Sequence, residues 1–528
     1  MKKFLKEWWI VMAAFLAVVV FAAVIRIYNI TLLPVFADEA IYIRWSQIMS
    51  MEPTLRFLPL SDGKQPLYMW ILMFYVHRLS DPLFSGRILS VVAGLGTIAG
   101  IFGVSYVLFK NKLVSILSSL IWAVSPFSFF FDRMALVDSL LASMTVWTLF
   151  FGILTAKTKR LDMAMITGFF LGGALLTKSP ALFTAILLPS VIIMSKFPKK
   201  PKQILMHLLN MMILFVPAYI IGYGMYNILR LGPNFNMVGS RNADYILPIS
   251  HLWINPRDPL IFHIEEIYKD WFVRMGPWPI YGLIISGIAF NWKNLWREKL
   301  LLAAWFLFPI LVQSEYAKVF TVRYILFTLP PIFILAASSF LTKKKIIMVF
   351  NYIVLAVFVG VSLYTNFITA TDPEKSNLPS SERSGYLEEW TAGTGIREVS
   401  ELIKAEHTKN PEQNILIGTE GYFGTLPDGL HMYVQNVPNV NVIGVGIIIE
   451  EIPQSLEDSV KFGNKTYLVI NSSRLKIKEE NWDKAGLKLI SSYKKADRRE
   501  KATHDYIWHG LFDTFYFFEL VKPAIIRQ

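Results

Sequence analysis

The sequence predicts a polytopic α-helical membrane protein that ends in a small α/β domain. Three observations lead there. Of the 528 residues 54% are hydrophobic and only 17% charged, with 39 Phe, 22 Tyr and 15 Trp, more apolar surface than a soluble enzyme can hide. Apolar segments recur at 8–30, 67–79, 88–109, 113–131, 139–156, 162–177, 180–195, 204–226, 278–291, 300–314, 320–341 and 346–366. After Phe367 a polar stretch, TDPEKSNLPSSERSG, leads into short strands mixed with helical patterns, the signature of a compact α/β domain.

The segment 67–79 decides the topology. As a helix it would be about 20 Å long, short of a hydrocarbon core of about 30 Å. If it does not cross, the clusters Lys110–Lys112, Lys157–Arg160, Lys196–Lys202, Lys293–Lys299 and Lys343–Lys345 all share the side of the N-terminus. If it crosses, all of them move outside, against the positive-inside bias. The expectation is therefore about 11 transmembrane helices, a juxtamembrane helix at 67–79, the N-terminus in the cytoplasm and the C-terminal domain outside. Trp8–Tyr28, after Lys2, Lys3 and Lys6, is too long for a signal peptide and lacks a small-residue cleavage site, so it is read as a retained helix.

Net charge is +13, but the surplus sits in those short clusters, which argues against nucleic acid. From Phe367 onward 19 Lys and Arg face 23 Asp and Glu, a mildly acidic domain. The absence of Cys excludes disulfides, thiolate catalysis and Cys-based metal sites. The organisation expected is a membrane domain over residues 1–366 with a first external loop 31–87, a linker 367–394 and an extracytoplasmic α/β domain 395–528. Within that last domain Gly395–His407 reads as a helix. Asn414–Gly418, Met432–Gln435, Val440–Val445, Thr466–Ile470, Leu487–Tyr493 and Thr514–Leu520 read as strands. In the first loop Ile41, Trp45, Ile48 and Met49 share a helical face, so Asp38–Met51 reads as an interfacial amphipathic helix.

Charged groups on the expected outer side are the candidates for chemistry. Asp38 and Glu39 stand where the chain leaves the first apolar segment. They suit a general base for an acceptor hydroxyl and equally a helix N-cap and acidic first turn. Lys64 suits a phosphate or a snorkelling interface. Arg133 and Asp138 head a span, where a simple ion pair is the plain reading. Lys178 interrupts an apolar hairpin on the side depleted of positive charge, which points to a functional role, and Arg323 lies just inside a span after Tyr316 and Lys318, where its planar fork suits phosphate oxygens or caps its neighbours. His251, His263 and Glu265 share one loop but show no HxxxH or HExxH spacing, which leaves a divalent metal open without assigning one. Trp253, Trp271 and Trp278 read as an interface belt.

With these residues in place, the chain resembles the GT-C glycosyltransferases of family 39, which include protein O-mannosyltransferases and lipid A aminoarabinose transferases. The resemblance runs through FADEAIYIRWSQIM, GKQPLYMWIL, RILSVVAGLGTIAGIFGVSYVLF, FDRMALVDSLLA, GGALLTKSPAL and VRYILFTLPP. The acidic pair followed by Lys-x-Pro-Leu-Tyr is its most specific element. It implies a polyprenyl-phosphate sugar donor, an acceptor hydroxyl of a lipid, glycan or protein on the outer face of the cell membrane, and inverting displacement. It implies Asp38 as the catalytic carboxylate with Glu39 beside it. Lys64, Lys178 and Arg323 would then hold the donor phosphate, and Arg133 and Asp138, with Tyr316 and Lys318, would organise the pocket. Two departures stand out. Gln65 replaces a Pro common in the family, which loosens the turn around Lys64, and the C-terminal region does not resemble the repeat domain of the eukaryotic enzymes. Two other classes fit composition alone. One is a transporter or flippase of lipid-linked sugars, although no internal repeat is apparent; the other is a receptor-like membrane protein.

Overall fold

The computed structural model describes residues 2–499 and 504–521. They form two compact units that do not follow chain order: residues 1–30, 52–71 and 87–379, and residues 31–51, 72–86 and 380–528. A division near 366 therefore holds only for the second half of the chain. Most of the segment 31–87 belongs with the C-terminal residues.

The first unit is helical. Six helical stretches are long and apolar enough to cross a membrane: Glu7–Ile27, Pro82–Phe109, Val137–Thr158, Pro201–Leu231, Val322–Leu341 and Lys345–Thr371. Lys112–Val124, Leu161–Thr177, Ala181–Met194 and Ile280–Ala289 are apolar but shorter, and the segment expected at 300–314 lies within Trp292–Tyr316. Among the described residues, then, six stretches meet the length by themselves, short of the eleven expected. One reason is visible at 113–131, where Ser125-Pro126 divides the run into Lys112–Val124 and Pro126–Phe131, since proline cannot continue the hydrogen-bond ladder. The segment expected at 67–79 contains only the helix Leu67–Leu72, about 9 Å long at the α-helical rise.

The centre of this unit is polar as well as apolar. Phe127, Phe129, Phe130 and Phe131 are buried, and against them lie fully buried Arg26 and Asp132. Arg26 Nε donates to Asp132 Oδ2 at 3.1 Å and Nη1 to the Ala123 carbonyl at 2.8 Å, while Ser139 Oγ donates to Asp132 Oδ1 at 2.8 Å. A buried ion pair is tolerable only when its remaining valences are filled in this way. Neighbouring backbone must leave room for it. Gly94, in the helix Pro82–Phe109, faces this carboxylate so closely that any Cβ there would overlap it.

The second unit contains a five-stranded sheet. β1 (Ile415–Glu420), β2 (Val440–Gly446), β3 (Lys465–Asn471), β4 (Leu487–Lys494) and β5 (Thr514–Leu520) lie in the order β2-β1-β3-β5-β4. β1 pairs in parallel with β2 and β3, and β5 runs antiparallel to β3 and β4. Leu468, Ile470, Leu487, Phe518 and Leu520 pack on one face with Leu456 of the helix Gln454–Lys461. By strand alternation Tyr467 and Phe517 take the opposite face, where their rings lie 4.9 Å apart. Five of the six expected strands are present. Met432–Gln435 is not one of them. It falls at the end of the helix Thr425–Val434, whose Pro427 is accommodated in the first turn, where no intrahelical donor is needed.

The helix Ala37–Met51 packs within this second unit, on Thr425–Val434. Arg44 Nη1 donates to Gln435 Oε1 at 2.7 Å, Gln47 Nε2 to the Met432 carbonyl at 3.0 Å, and Trp45 stacks on Phe423 at 6.0 Å. Ahead of it the Gly393 N–H donates to the Val35 carbonyl at 2.8 Å, and Phe36 stacks on Tyr386 at 4.8 Å. Glu39, Tyr42, Ile43, Ser46 and Gln47 are buried along with Ile41, Trp45 and Met49, so burial is not confined to the one expected apolar face.

These packing facts predict a contrast between glycines. Gly94→Ala should lower the thermal unfolding midpoint of the detergent-solubilised protein, by an overpacking cost of about 1–3 kcal/mol. Gly224→Ala and Gly360→Ala, whose Cβ positions meet nothing within 4 Å, should leave it unchanged or raise it.

Candidate functional site

In the first unit several predicted residues meet around Tyr324. Lys178 follows the helix Leu161–Thr177 in extended conformation, and its Nζ bonds Asp138 Oδ1 at 2.7 Å. Asp138 is in the first turn of Val137–Thr158. The same ammonium lies 4.2 Å from the centroid of the Tyr324 ring, and the Arg323 guanidinium lies 5.7 Å from that centroid. Two cations thus share one aromatic ring. Tyr324 is in turn packed on Phe320 at 6.1 Å, and Phe320 on His263 at 4.8 Å.

Lys64 is tied to the same region through its neighbour. Gly63 has φ of +67°, a left-handed position that favours glycine, and the turn closes as Lys64 N–H donates to the Pro59 carbonyl at 3.0 Å. Gln65 is buried and donates through Nε2 to Ser179 Oγ at 2.8 Å. The expected loosening of this turn by Gln65 is therefore not what the structure has: the amide fastens the Lys64 loop to the residue after Lys178. Lys64 Nζ is 3.5 Å from Asp62 Oδ2, whose Oδ1 is 2.9 Å from Arg241.

Other predicted residues lie elsewhere. Arg133 does not pair with Asp138. It donates to the carbonyls of Ile25, Tyr28 and Asn29 at 3.1, 2.9 and 3.0 Å, and so caps the end of the first helix. Tyr316 and Lys318 join a short bridge to another loop: Leu247 N–H donates to the Tyr316 carbonyl at 2.7 Å and Lys318 Nζ to the Ala243 carbonyl at 2.8 Å. The potential metal ligands diverge. His263 Nδ1 donates to the Ser314 carbonyl at 2.9 Å, Glu265 pairs with Lys269 at 2.7 Å, and His251 Nδ1 is 3.5 Å from Glu315. No group of three His, Cys, Asp or Glu suited to a metal occurs among the described residues.

Asp38 and Glu39 occupy the first turn of Ala37–Met51 in the second unit. Glu39 is buried and its Oε2 accepts from the Phe36 N–H at 3.0 Å. That is the reciprocal half of a capping box, which gives Glu39 a structural task. Asp38 is half-buried beside it.

Sequence reasoning passed over Tyr324, the bond from Gln65 to Ser179 and the Arg26–Asp132 pair. Tyr324 was adjacent to Arg323 in VRY, and Asp132 adjacent to Arg133 in FDRMALVD. Adjacency in sequence does not say which of two neighbouring polar residues faces the interior.

The pattern of the family described as dolichyl-phosphate-mannose-protein mannosyltransferase matches residues 63–221, a span that holds Lys64, Arg133, Asp138 and Lys178 but neither Asp38 nor Arg323. No curated protein sequence matches the chain. Among solved structures, ArnT from Cupriavidus metallidurans in the apo state is similar over 98% of both chains, at 14% identity and a TM-score of 0.56. ArnT bound to undecaprenyl phosphate is similar over 97% of this chain and 98% of that one, at 15% identity and a TM-score of 0.54. The archaeal oligosaccharyltransferase AglB from Archaeoglobus fulgidus gives a TM-score of 0.45 at 12% identity, over 88% of this chain and 70% of that one. The fold is of the GT-C type, as the motifs led us to expect, and the family match takes in four of the six motif stretches, from GKQPLYMWIL to GGALLTKSPAL.

The pairing of Lys178 with Asp138 predicts a rescue. Lys178→Met should destabilise the protein by about 1–3 kcal/mol by leaving a buried carboxylate without its cation. Adding Asp138→Asn should recover most of that loss, read as the thermal unfolding midpoint of each purified variant.

Proposed function

We propose that this chain is a multi-pass membrane glycosyltransferase that moves a sugar, mannose or a related hexose or pentose, from a polyprenyl-phosphate donor to an acceptor hydroxyl. The observation that carries this reading is the placement of Lys178 and Arg323 on one tyrosine ring, with the Lys64 loop fastened to Ser179, in a chain of GT-C fold. Cations gathered around a single point suit the oxygens of a phosphate, and they stabilise the charge that grows on a phosphate leaving group. Asp138 is a positioning residue that holds the Lys178 ammonium.

Chemically, the acceptor oxygen attacks the anomeric carbon, the bond from that carbon to the donor phosphate oxygen breaks, and configuration inverts. The proton of the acceptor hydroxyl passes to a carboxylate, and the released polyprenyl phosphate keeps the bonding electrons. Asp38 enters as that general base through the family resemblance, whereas Glu39 is assigned to the helix cap. The positive clusters between apolar segments support a cytoplasmic N-terminus, with the reaction and the C-terminal domain on the outer face.

Purified protein in nanodiscs, given a panel of labelled polyprenyl-phosphate sugars and a membrane extract as acceptor, tests this directly. Asp38→Asn should lower the transfer rate by about 100-fold or more while leaving donor KM unchanged. Arg323→Gln and the stable pair Lys178→Met with Asp138→Asn should instead raise donor KM by about tenfold. Wild-type transfer by Asp38→Asn would remove the assigned base, and no transfer from any donor by the unaltered protein would defeat the reading as a whole.

A further inference from the structure

The sheet of the second unit has a switch point. The connection leaving β1 runs to β2 on one side, and the connection leaving β2 returns to β3 on the other. Open α/β sheets bind ligands in the crevice outside the carboxyl ends of such strands. A cavity of about 410 Å³ lies there, with walls from Glu420 at the end of β1, Gly421 after it, Ile447 after β2, Arg474 after β3, and Trp390. That volume falls within the range of about 300–1,000 Å³ usual for small-molecule sites.

The walls are chemically specific. Arg474 lies over the Trp390 ring at 5.0 Å, and no carboxylate is within ion-pair distance of it among the described residues. A guanidinium held on an aromatic face keeps the N–H donors along its edge for other partners. Its loop is rigid. Ser472 Oγ, Ser473 N–H and Ser473 Oγ all donate to Asp513, at 2.6, 3.0 and 3.0 Å, and the Ile449 N–H donates to the Arg474 carbonyl at 2.9 Å. Trp390, Tyr422 and Phe423 are exposed aromatic rings on the rim, 41%, 73% and 49% accessible. Glu420 is buried and accepts from the Asn471 N–H and Nδ2, each at 2.7 Å. Burial pushes its carboxyl up to about 7, with Lys495 and Asp513 acting on it in opposite senses.

Many crevices of this kind hold a nucleotide phosphate at a helix N-terminus. Here that position is taken. The Gly424 N–H at the head of Thr425–Val434 donates to Asp428 Oδ2 at 2.7 Å, and a carboxylate there repels phosphate. The free cation is on the other wall. Flat exposed rings next to a stacked arginine match the apolar face of a pyranose that bears a negative group.

We propose that this crevice is a ligand site for an acidic saccharide, with the sugar ring against the aromatic rim and its carboxylate or phosphate on Arg474. It goes beyond the transfer reaction and stands independently of Asp38.

Full-length protein in nanodiscs would be titrated with glucuronic acid, glucose 6-phosphate, glucose and inorganic phosphate, following intrinsic tryptophan fluorescence and saturation-transfer NMR. Both acidic sugars should bind saturably and about tenfold tighter than glucose. Arg474→Gln should reduce them to the level of glucose, and Trp390→Ala should weaken all three sugars, with both variants keeping the wild-type unfolding midpoint. Absence of saturable binding, binding unaltered in both variants, or inorganic phosphate binding as tightly as glucose 6-phosphate would each overturn the proposal. Because the readout is binding, loss of transfer in Asp38→Asn with sugar binding intact bears on the reaction alone, and transfer that persists without sugar binding bears on this site alone.

Discussion

A helix that ends among apolar side chains leaves several carbonyls without partners, and no water is at hand to supply them. The first helix of this protein meets that constraint with arginines from distant parts of the chain. Arg133 serves the carbonyls of Ile25, Tyr28 and Asn29, and Arg87 serves that of Ile30 at 2.7 Å. One turn earlier Arg26 reaches across to Asp132 and Ala123. The apolar contacts around them can slide, but these donor and acceptor positions cannot. They fix the end of the first helix against the loop 132–138, and that loop leads directly into Asp138, which in turn sets Lys178 beside Tyr324.

Much of this could be read from the sequence, for physical reasons. Long apolar runs depend on composition alone, so helices lie within the expected segments, but where each stops, as at Ser125-Pro126 and after Leu72, was not foreseen. The strands of the C-terminal sheet were equally legible where β-branched and aromatic residues alternate, as in LVI within β3 and FYFF within β5. MYVQ at 432–435 misled because a four-residue run carries no period, and the Gly and Pro upstream hid a helix beginning at Thr425. What was not legible is that residues 31–51 and 72–86 join the C-terminal unit. Nothing local in 31–51 announces a partner near residue 430.

The candidate site was legible as a set of residue types more than as an arrangement. Lys178 and Arg323 stood out because isolated cations in apolar surroundings need an anionic partner, whether protein or ligand. Arg133 stood out for the same reason, yet its partners are backbone carbonyls, which carry no signal in a sequence. Glu39 shows the opposite case. Its capping role was one of two open readings, and the hydrogen bond it accepts from the Phe36 N–H is what that role requires.

The discontinuity of the second unit also has a consequence in time. Arg44 and its partner Gln435 are separated by 391 residues. At translation rates of about 5–20 residues per second, the ribosome needs about 20–80 s to pass from one to the other. During that interval the segment bearing Asp38 has emerged without the surface on which it packs. The carboxylate assigned to catalysis is thus put in its final setting only when nearly the whole polypeptide has been made. Unfinished chains lack that setting, because the helix Thr425–Val434 that receives Ala37–Met51 has not yet been made.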